Sequence, residues 1–290
     1  MFSSIKISQL KFFNFLTTKK TIDSVLLNFL GLQIFRYLLS KSIYFLLGFF
    51  YSEKKMQKYY KNGYLIIDKF LSQEKFLKIN EEFITIIEKE KKGRNIYAKS
   101  DIEKNSSINY ILFEFEDNNE NKLLYPELYS LYKDTKINDY FRLAERKKKI
   151  MLCMRLERVI TNDEFKNDSN SYWHVDTYHN THKAWIYLTD VKKENGSFNY
   201  LKGSNRLSIT RLIWEYYNSI KTSIDKDFMP FFTHKNLSKK LEENKKEFSC
   251  EKNSFLIANT HGFHRRGDSI TGQIRDSVSF YTRENPYKFF

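Results

Sequence analysis

The chain has 290 residues, 41% of them hydrophobic and 17% aromatic, with 26 Phe and 20 Tyr, so it can close a real core and global disorder is excluded. Nine Gly and three Pro rule out collagen-like and Gly/Pro-rich low-complexity chains, and no fixed-period repeat is present. Forty-nine basic against 35 acidic residues leave a net charge of +14, which would suit an anionic partner. No helix-turn-helix, zinc-finger or RNA-recognition signature accompanies that charge, which follows a general bias toward lysine, so nucleic acid is not the expected partner.

Residues 1–56 form a distinct basic and apolar zone. Runs such as Val25-Leu26-Leu27 and Tyr44-Phe45-Leu46-Leu47 are broken by Gln33, Arg36 and Lys41, so no uninterrupted membrane-spanning stretch results. The first 60 residues hold nine Lys/Arg against Asp23 and Glu53, a net +7. This is the make-up of an N-terminal helical extension that either covers the main domain or touches a membrane peripherally. No small-residue cleavage site follows it. Cys153 and Cys250 are too far apart in sequence to form a CxxC pair or a disulfide framework, which suits a reducing, cytoplasmic location.

Asn62-Gly63-Tyr64-Leu65-Ile66-Ile67-Asp68 reads as a turn into a short apolar strand. A helix is expected from about Ser72, with Phe76, Leu77, Ile79, Phe83, Ile84 and Ile87 on its apolar side. The stretch from Gly93 to Asn121 is polar and irregular apart from a strand-like piece at Tyr110–Phe115. From Ile150 short β-type segments dominate: Ile150–Ile160, Lys183–Val191, Ser197–Leu201, Ser254–Ala258 and Ile274–Tyr281, with Asn195-Gly196 as a hairpin signal. Many short strands with turn punctuation predict a mainly β domain over 57–290, a jelly roll or related sandwich with helical decoration. Residues 207–248 read as a helical insertion, expected as a lid carrying Trp214, Tyr216 and Tyr217.

Five of the six histidines fall into two groups, His174, His179 and His182, then His261 and His264. His174 and Asp176 stand at i and i+2, which in extended chain places both side chains on one face. Two histidines and one carboxylate with open positions are the ligand set of non-haem iron(II) oxygenases.

On these residues the chain resembles the phytanoyl-CoA dioxygenase family of Fe(II)/2-oxoglutarate-dependent oxygenases. The resemblance lies in Trp173-His174-Val175-Asp176, Trp185-Ile186-Tyr187-Leu188-Thr189-Asp190, Glu194-Asn195-Gly196-Ser197, Gly203-Ser204 and Ala258-Asn259-Thr260-His261-Gly262-Phe263-His264-Arg265-Arg266-Gly267, ending at Arg275. The strand at 62–68 extends it over about 62–290. It implies a double-stranded β-helix, a cupin-like jelly roll, using Fe(II), 2-oxoglutarate and O2 to hydroxylate a small molecule. His264 lies eleven residues before Arg275, the family's spacing from distal ligand to cosubstrate arginine, whereas His261 lies fourteen before it. The implied metal ligands are therefore His174, Asp176 and His264, with His261 behind them.

Arg275 is the implied anchor for the far carboxylate of 2-oxoglutarate, which a planar guanidinium grips with two parallel bonds. Ser277, two residues on, shares its face, and Lys183 and Trp185 share a face of another strand beside the cosubstrate. Asn205 and Asp268-Ser269 depart from the family pattern of a His after Gly-Ser and an Asn after the distal His-x-x-Gly. Arg155, Arg158, His179, His182, Arg265 and Arg266 are expected to make an electropositive mouth, fitting an anionic substrate, acyl or phosphorylated. The rival from another class is a non-catalytic jelly-roll metal-binding module, serving as a peripheral membrane scaffold.

Overall fold

The alternation that marks the second half of the chain becomes two antiparallel sheets packed face to face. The computed structural model describes residues 21–93, 108–161, 169–225, 231, 235–282 and 287. In chain order the strands are β1 (Tyr64–Ile67), β2 (Ile108–Phe115), β3 (Leu152–Thr161), β4 (His182–Tyr187), β5 (Phe198–Tyr200), β6 (Lys246–Phe248), β7 (Phe255–Asn259), β8 (His264–Arg266) and β9 (Ile274–Thr282). The larger sheet runs β1-β7-β4-β9-β3-β2 and the smaller β6-β5-β8. This is the expected jelly-roll arrangement, enclosing a space between the sheets.

The helices are α1 (Val25–Phe29), α2 (Leu32–Leu47), α3 (Gln57–Asn62), α4 (Gln73–Gly93), α5 (Asn119–Leu124), α6 (Pro126–Tyr132), α7 (Thr135–Glu145), α8 (Ile209–Ile224) and α9 (Lys235–Glu243). One face of the larger sheet supplies Met154, Leu156, Ala184, Ile186, Val278 and Phe280 to the main core, which α4, α6 and α7 cover. On α4 the buried positions are Phe76, Ile79, Phe83, Ile86 and Ile87, while Leu77 and Ile84 turn outward. The Glu82 carboxylate of α4 accepts from the backbone N–H of Glu127 and Leu128, satisfying two free donors at the start of α6. Gly63 ends α3 at φ 89°, and a Cβ there would collide with the Tyr200 hydroxyl, so the turn into β1 requires glycine.

The Asn195-Gly196 turn forms, with Gly196 at φ 76° and Asn195 accepting from Lys192 N–H at 2.8 Å. The hairpin expected around it does not: β4 belongs to the larger sheet and β5 to the smaller, so the turn carries the chain from one sheet to the other. The short helices α5, α6 and α7 were not signalled by periodicity. Residues 1–20 of the N-terminal zone, 94–107 of the polar stretch, and 226–230 and 232–234 of the insertion lie outside the described residues.

Phe255 sits at the centre of the main core, fully buried, with Phe70 and Tyr140 ring centroids at 4.5 and 5.5 Å. Phe255→Ala should cost about 3–5 kcal/mol of unfolding free energy, read as a lower urea midpoint.

Candidate active site

His174 and His264 face each other across an isolated antiparallel bridge. Each backbone N–H donates to the other's carbonyl at 3.0 Å, and the rings stand 4.3 Å apart between centroids. This pairing ties the segment before β4 to β8 of the smaller sheet. One residue along, Val175 turns into an apolar cluster with Trp173, Trp214, Leu241 and Phe263. Asp176, its N–H donating to Thr260 O at 3.0 Å, returns to the histidine side, as i and i+2 spacing requires. One potential ligand atom from each of His174, Asp176 and His264 lies within 4.8 Å of the others, and Asp176 Oδ1 is 3.7 Å from His264 Nε2.

The surroundings set the chemical state of this group. His174 Nδ1 is 2.7 Å from Tyr172 O and His264 Nδ1 is 2.9 Å from Gly262 O. Carbonyls only accept, so each Nδ1 carries the proton and each Nε2 offers its lone pair inward. Burial pushes both histidines down, His264 to about 3, with the neighbouring His174 adding to the effect. Burial alone would raise Asp176, but Lys183 Nζ at 2.9 Å and the two imidazoles hold it well below the usual carboxylate range. Two neutral imidazoles and one carboxylate are therefore ready for a divalent cation without losing a proton. The donor set fits iron(II).

Beside the triad a cavity of about 280 Å³ opens between the sheets. His174, His264, Lys183, Trp185 and Arg275 all line it. Ser277 lies on the same face of β9, buried between Tyr187 and Glu157 of the flanking strands rather than on the cavity lining. Arg275 donates to Gly196 O, its Nε is buried without a partner, and among the described residues no carboxylate pairs with it. Two other arginines of the lining differ. Arg155 is held by Glu114, and Arg265 by Glu242 at 3.1 Å and by Asp268 at 3.2 Å.

Three expectations about the mouth are corrected. Arg158 lies on the opposite face of β3, donating to both oxygens of Asp276 at 2.8 Å. His182 also faces the other way, since it neighbours Lys183 in a strand, and its Nδ1 meets the Tyr59 hydroxyl. His179 is half-buried, with its Nδ1 3.0 Å from Asn180 O, and is not among the residues lining the cavity. Tyr187, Phe198, Ser279 and Tyr281 line the cavity and were not anticipated. Strand parity with Trp185 and Arg275 was the signal that could have found Tyr187, Ser279 and Tyr281.

No described residue of 207–248 is among those lining the cavity. The described helix α8 stands behind the histidine segment. Arg211 donates to His261 O at 3.0 Å, and Trp214 meets Phe263 edge-on at 5.2 Å. His261 itself is fully buried, with Nδ1 2.9 Å from Thr177 O and its ring 5.4 Å from that of Tyr37. From α9, Glu242 accepts from Trp173 Nε1 at 3.0 Å and from Arg265, fixing one wall of the cavity.

The model of the family described as phytanoyl-CoA dioxygenase (PhyH) matches residues 59–275. The chain belongs to this family. Membership makes it a non-haem iron(II)/2-oxoglutarate-dependent dioxygenase, and the first two helices precede the matched stretch. No curated protein sequence matches the chain. Among solved structures it is similar to EctD from S. alaskensis with bound Fe (14% identity, TM-score 0.53, covering 80% of this chain and 76% of that one). It is also similar to the non-heme alpha-ketoglutarate-dependent carbocyclase SnoK from nogalamycin biosynthesis (15% identity, TM-score 0.51, covering 79% and 83%). At such identities these likenesses speak for the fold.

Two predictions follow from the geometry. His264→Ala and Asp176→Ala should each abolish stoichiometric iron(II) binding, whereas His261→Ala should retain about one iron per chain by metal analysis; loss of iron in His261→Ala alone would overturn the ligand assignment. The iron-free protein should also lose stability as pH falls. His179 is pushed by burial to about 4, His264 to about 3, and His182 and His261 well below 6.5. Below pH 6.5 the unfolded chain takes up protons that the folded chain refuses, so the thermal midpoint should drop between about pH 6.5 and 4. A midpoint unchanged across that window would contradict it.

Proposed function

We propose that His174, Asp176 and His264 hold iron(II), that Arg275 receives the distal carboxylate of 2-oxoglutarate, and that the enzyme hydroxylates a small anionic molecule. The observation that carries this reading is Arg275, a guanidinium in the cavity beside the triad with a buried, unpartnered Nε and no carboxylate of its own among the described residues. A cation placed in that way leaves unmet the bidentate partner that a dicarboxylate supplies.

With iron and dioxygen, 2-oxoglutarate undergoes oxidative decarboxylation to succinate and carbon dioxide, and the second oxygen atom goes to the substrate as a hydroxyl group. The chain's residues position and protect. Carbonyl-bonded Nδ1 atoms hold both imidazoles in the ligating tautomer, and Lys183 orients Asp176 through its ion pair. Trp185 and Phe198, 5.2 Å apart between ring centroids, wall the cavity with apolar surface that limits water. Ser277 and Tyr187, side by side on neighbouring strands, support the face from which Arg275 projects.

Lys183, Arg155, Arg265, Arg266 and Arg275 line the cavity, with Glu157 the acidic residue among its walls. Asp176, Glu114 and Glu242 pair with Lys183, Arg155 and Arg265, so what supports an anionic substrate is the number of cationic donors facing the cavity rather than an unbalanced charge. Acyl thioesters, phospholipids and phosphorylated metabolites are such anions.

Anaerobic titration of the iron(II) protein with 2-oxoglutarate should develop the visible charge-transfer band of the chelated cosubstrate. In Arg275→Ala the half-saturating 2-oxoglutarate concentration should rise about 100-fold, corresponding to about 3 kcal/mol for a lost charge-assisted pair. An unchanged half-saturation would sink the anchor assignment.

A further inference from the structure

The helices α1, α2 and α8 are inside out. On α2 the face turned to the protein carries Gln33, Arg36, Tyr37 and Ser40 together with Ile43, whereas Phe35, Leu38, Leu39, Phe45 and Leu46 are exposed, Phe45 at 63%. On α8 the inward face carries Arg211, Trp214, Glu215, Asn218 and Ser219, and Ile209, Ile213, Tyr217 and Ile224 point out. The exposed side of α1 holds Leu26, Phe29 and Leu30.

The inward polar groups are engaged. Arg36 donates to Gln33 at 2.9 Å and to the Tyr178 hydroxyl at 2.9 Å, and Arg211 pairs with Glu215 at 2.9 Å. Asn28 Nδ2 donates to Ser219 O at 2.8 Å, locking α1 to α8, and the Tyr216 hydroxyl donates to Phe29 O at 2.8 Å. The polar contacts thus fix the orientation in which the apolar side faces out. A surface helix ordinarily does the reverse, and one contiguous apolar face, unlike scattered exposed side chains, marks a contact surface.

The edge of this face is basic. A cavity of about 650 Å³ is lined by Leu38, Phe45, Leu46 and Leu207 of the apolar face together with Lys41, Arg146 and Arg206. Lys41 Nζ donates to Asn180 Oδ1 and Asn205 O at 2.7 Å, and the Arg146 guanidinium lies 4.2 Å from the Tyr44 ring centroid. Burial and the nearby Arg211 push Lys41 well below the usual lysine range, so the charge at this edge is that of Arg146 and Arg206, neither of which pairs with a carboxylate among the described residues. A second copy would bring the Arg146 and Arg206 of one face toward those of the other, whereas an anionic bilayer complements these guanidinium groups in charge and the exposed face in apolarity. No helix among the described residues is long and apolar enough to cross a membrane, so contact would be interfacial.

We propose that α1, α2 and α8 dock the enzyme on an anionic lipid bilayer, their apolar faces entering the acyl boundary and Arg146 and Arg206 receiving lipid head groups. This is independent of the iron and cosubstrate assignments. The test is cosedimentation of the full-length, iron-loaded protein with vesicles of phosphatidylcholine alone or mixed with phosphatidylserine, alongside gel filtration.

Mixed vesicles should bind at least about tenfold more protein than neutral ones at low salt, with the excess falling as salt rises. The variant Phe35→Gln/Leu46→Gln/Ile213→Gln, altered only at exposed positions, should lose at least about tenfold of that binding while its thermal midpoint and charge-transfer band stay unchanged. Three results would overturn the proposal: equal binding by the variant; no binding by a wild-type protein that elutes as a dimer which the variant splits, making a second copy the occupant; or no binding by a wild-type monomer, showing the face satisfied within the chain itself, for which residues 1–20 are the available segment.

Discussion

The site depends on one short backbone pairing, the reciprocal hydrogen bonds between His174 and His264. These residues are 90 positions apart, and the two bonds bring their rings to ligating separation. Everything nearby serves to keep the pairing in register. Val175 is buried between the two inward-facing ligands, Asp176 is bonded to Thr260, and Arg211 reaches from α8 to the carbonyl of His261. Among the described residues of the insertion, α8 supports the site from behind, while Glu242 of α9 braces the wall through Trp173 and Arg265.

Charge is distributed by the same logic. Most basic groups around the cavity are neutralised in place: Arg155 by Glu114, Arg265 by Glu242 and Asp268, Lys183 by Asp176. Arg275 has no carboxylate partner among the described residues and lines the cavity beside His174 and His264, and the proposed anchoring of a dicarboxylate rests on that. Histidines that take no part in the triad, His179, His182 and His261, are kept neutral by burial on the far side of the sheet or behind the ligand segment. A second set of unneutralised cations lies apart from the first, at the edge of the outward apolar face of α2.

Much of this was legible in the sequence where local pattern and tertiary role coincide. The alternation of β3, β4 and β9 announced strands, and His174-Val175-Asp176 announced two donor side chains on one face. Legibility ended where the deciding contact is distant. Helices α5, α6 and α7 are 6, 7 and 11 residues long, too short for periodicity to stand out. Asn195-Gly196 showed a turn, but turn geometry does not say that its flanking strands join different sheets. His182 was expected at the mouth as one of the histidine group around His174, yet it adjoins Lys183, and a single step along a strand reverses the face. The inverted polarity of α2 and α8 was invisible until their packing showed which side faces the protein.

The most direct test of the account is anomalous diffraction at the iron edge from crystals grown anaerobically with iron(II) and 2-oxoglutarate. The account predicts one peak bounded by His174, Asp176 and His264, with the far carboxylate of 2-oxoglutarate on Arg275. A peak at His261, or a cosubstrate carboxylate held elsewhere with Arg275 still bonded only to Gly196, would contradict it.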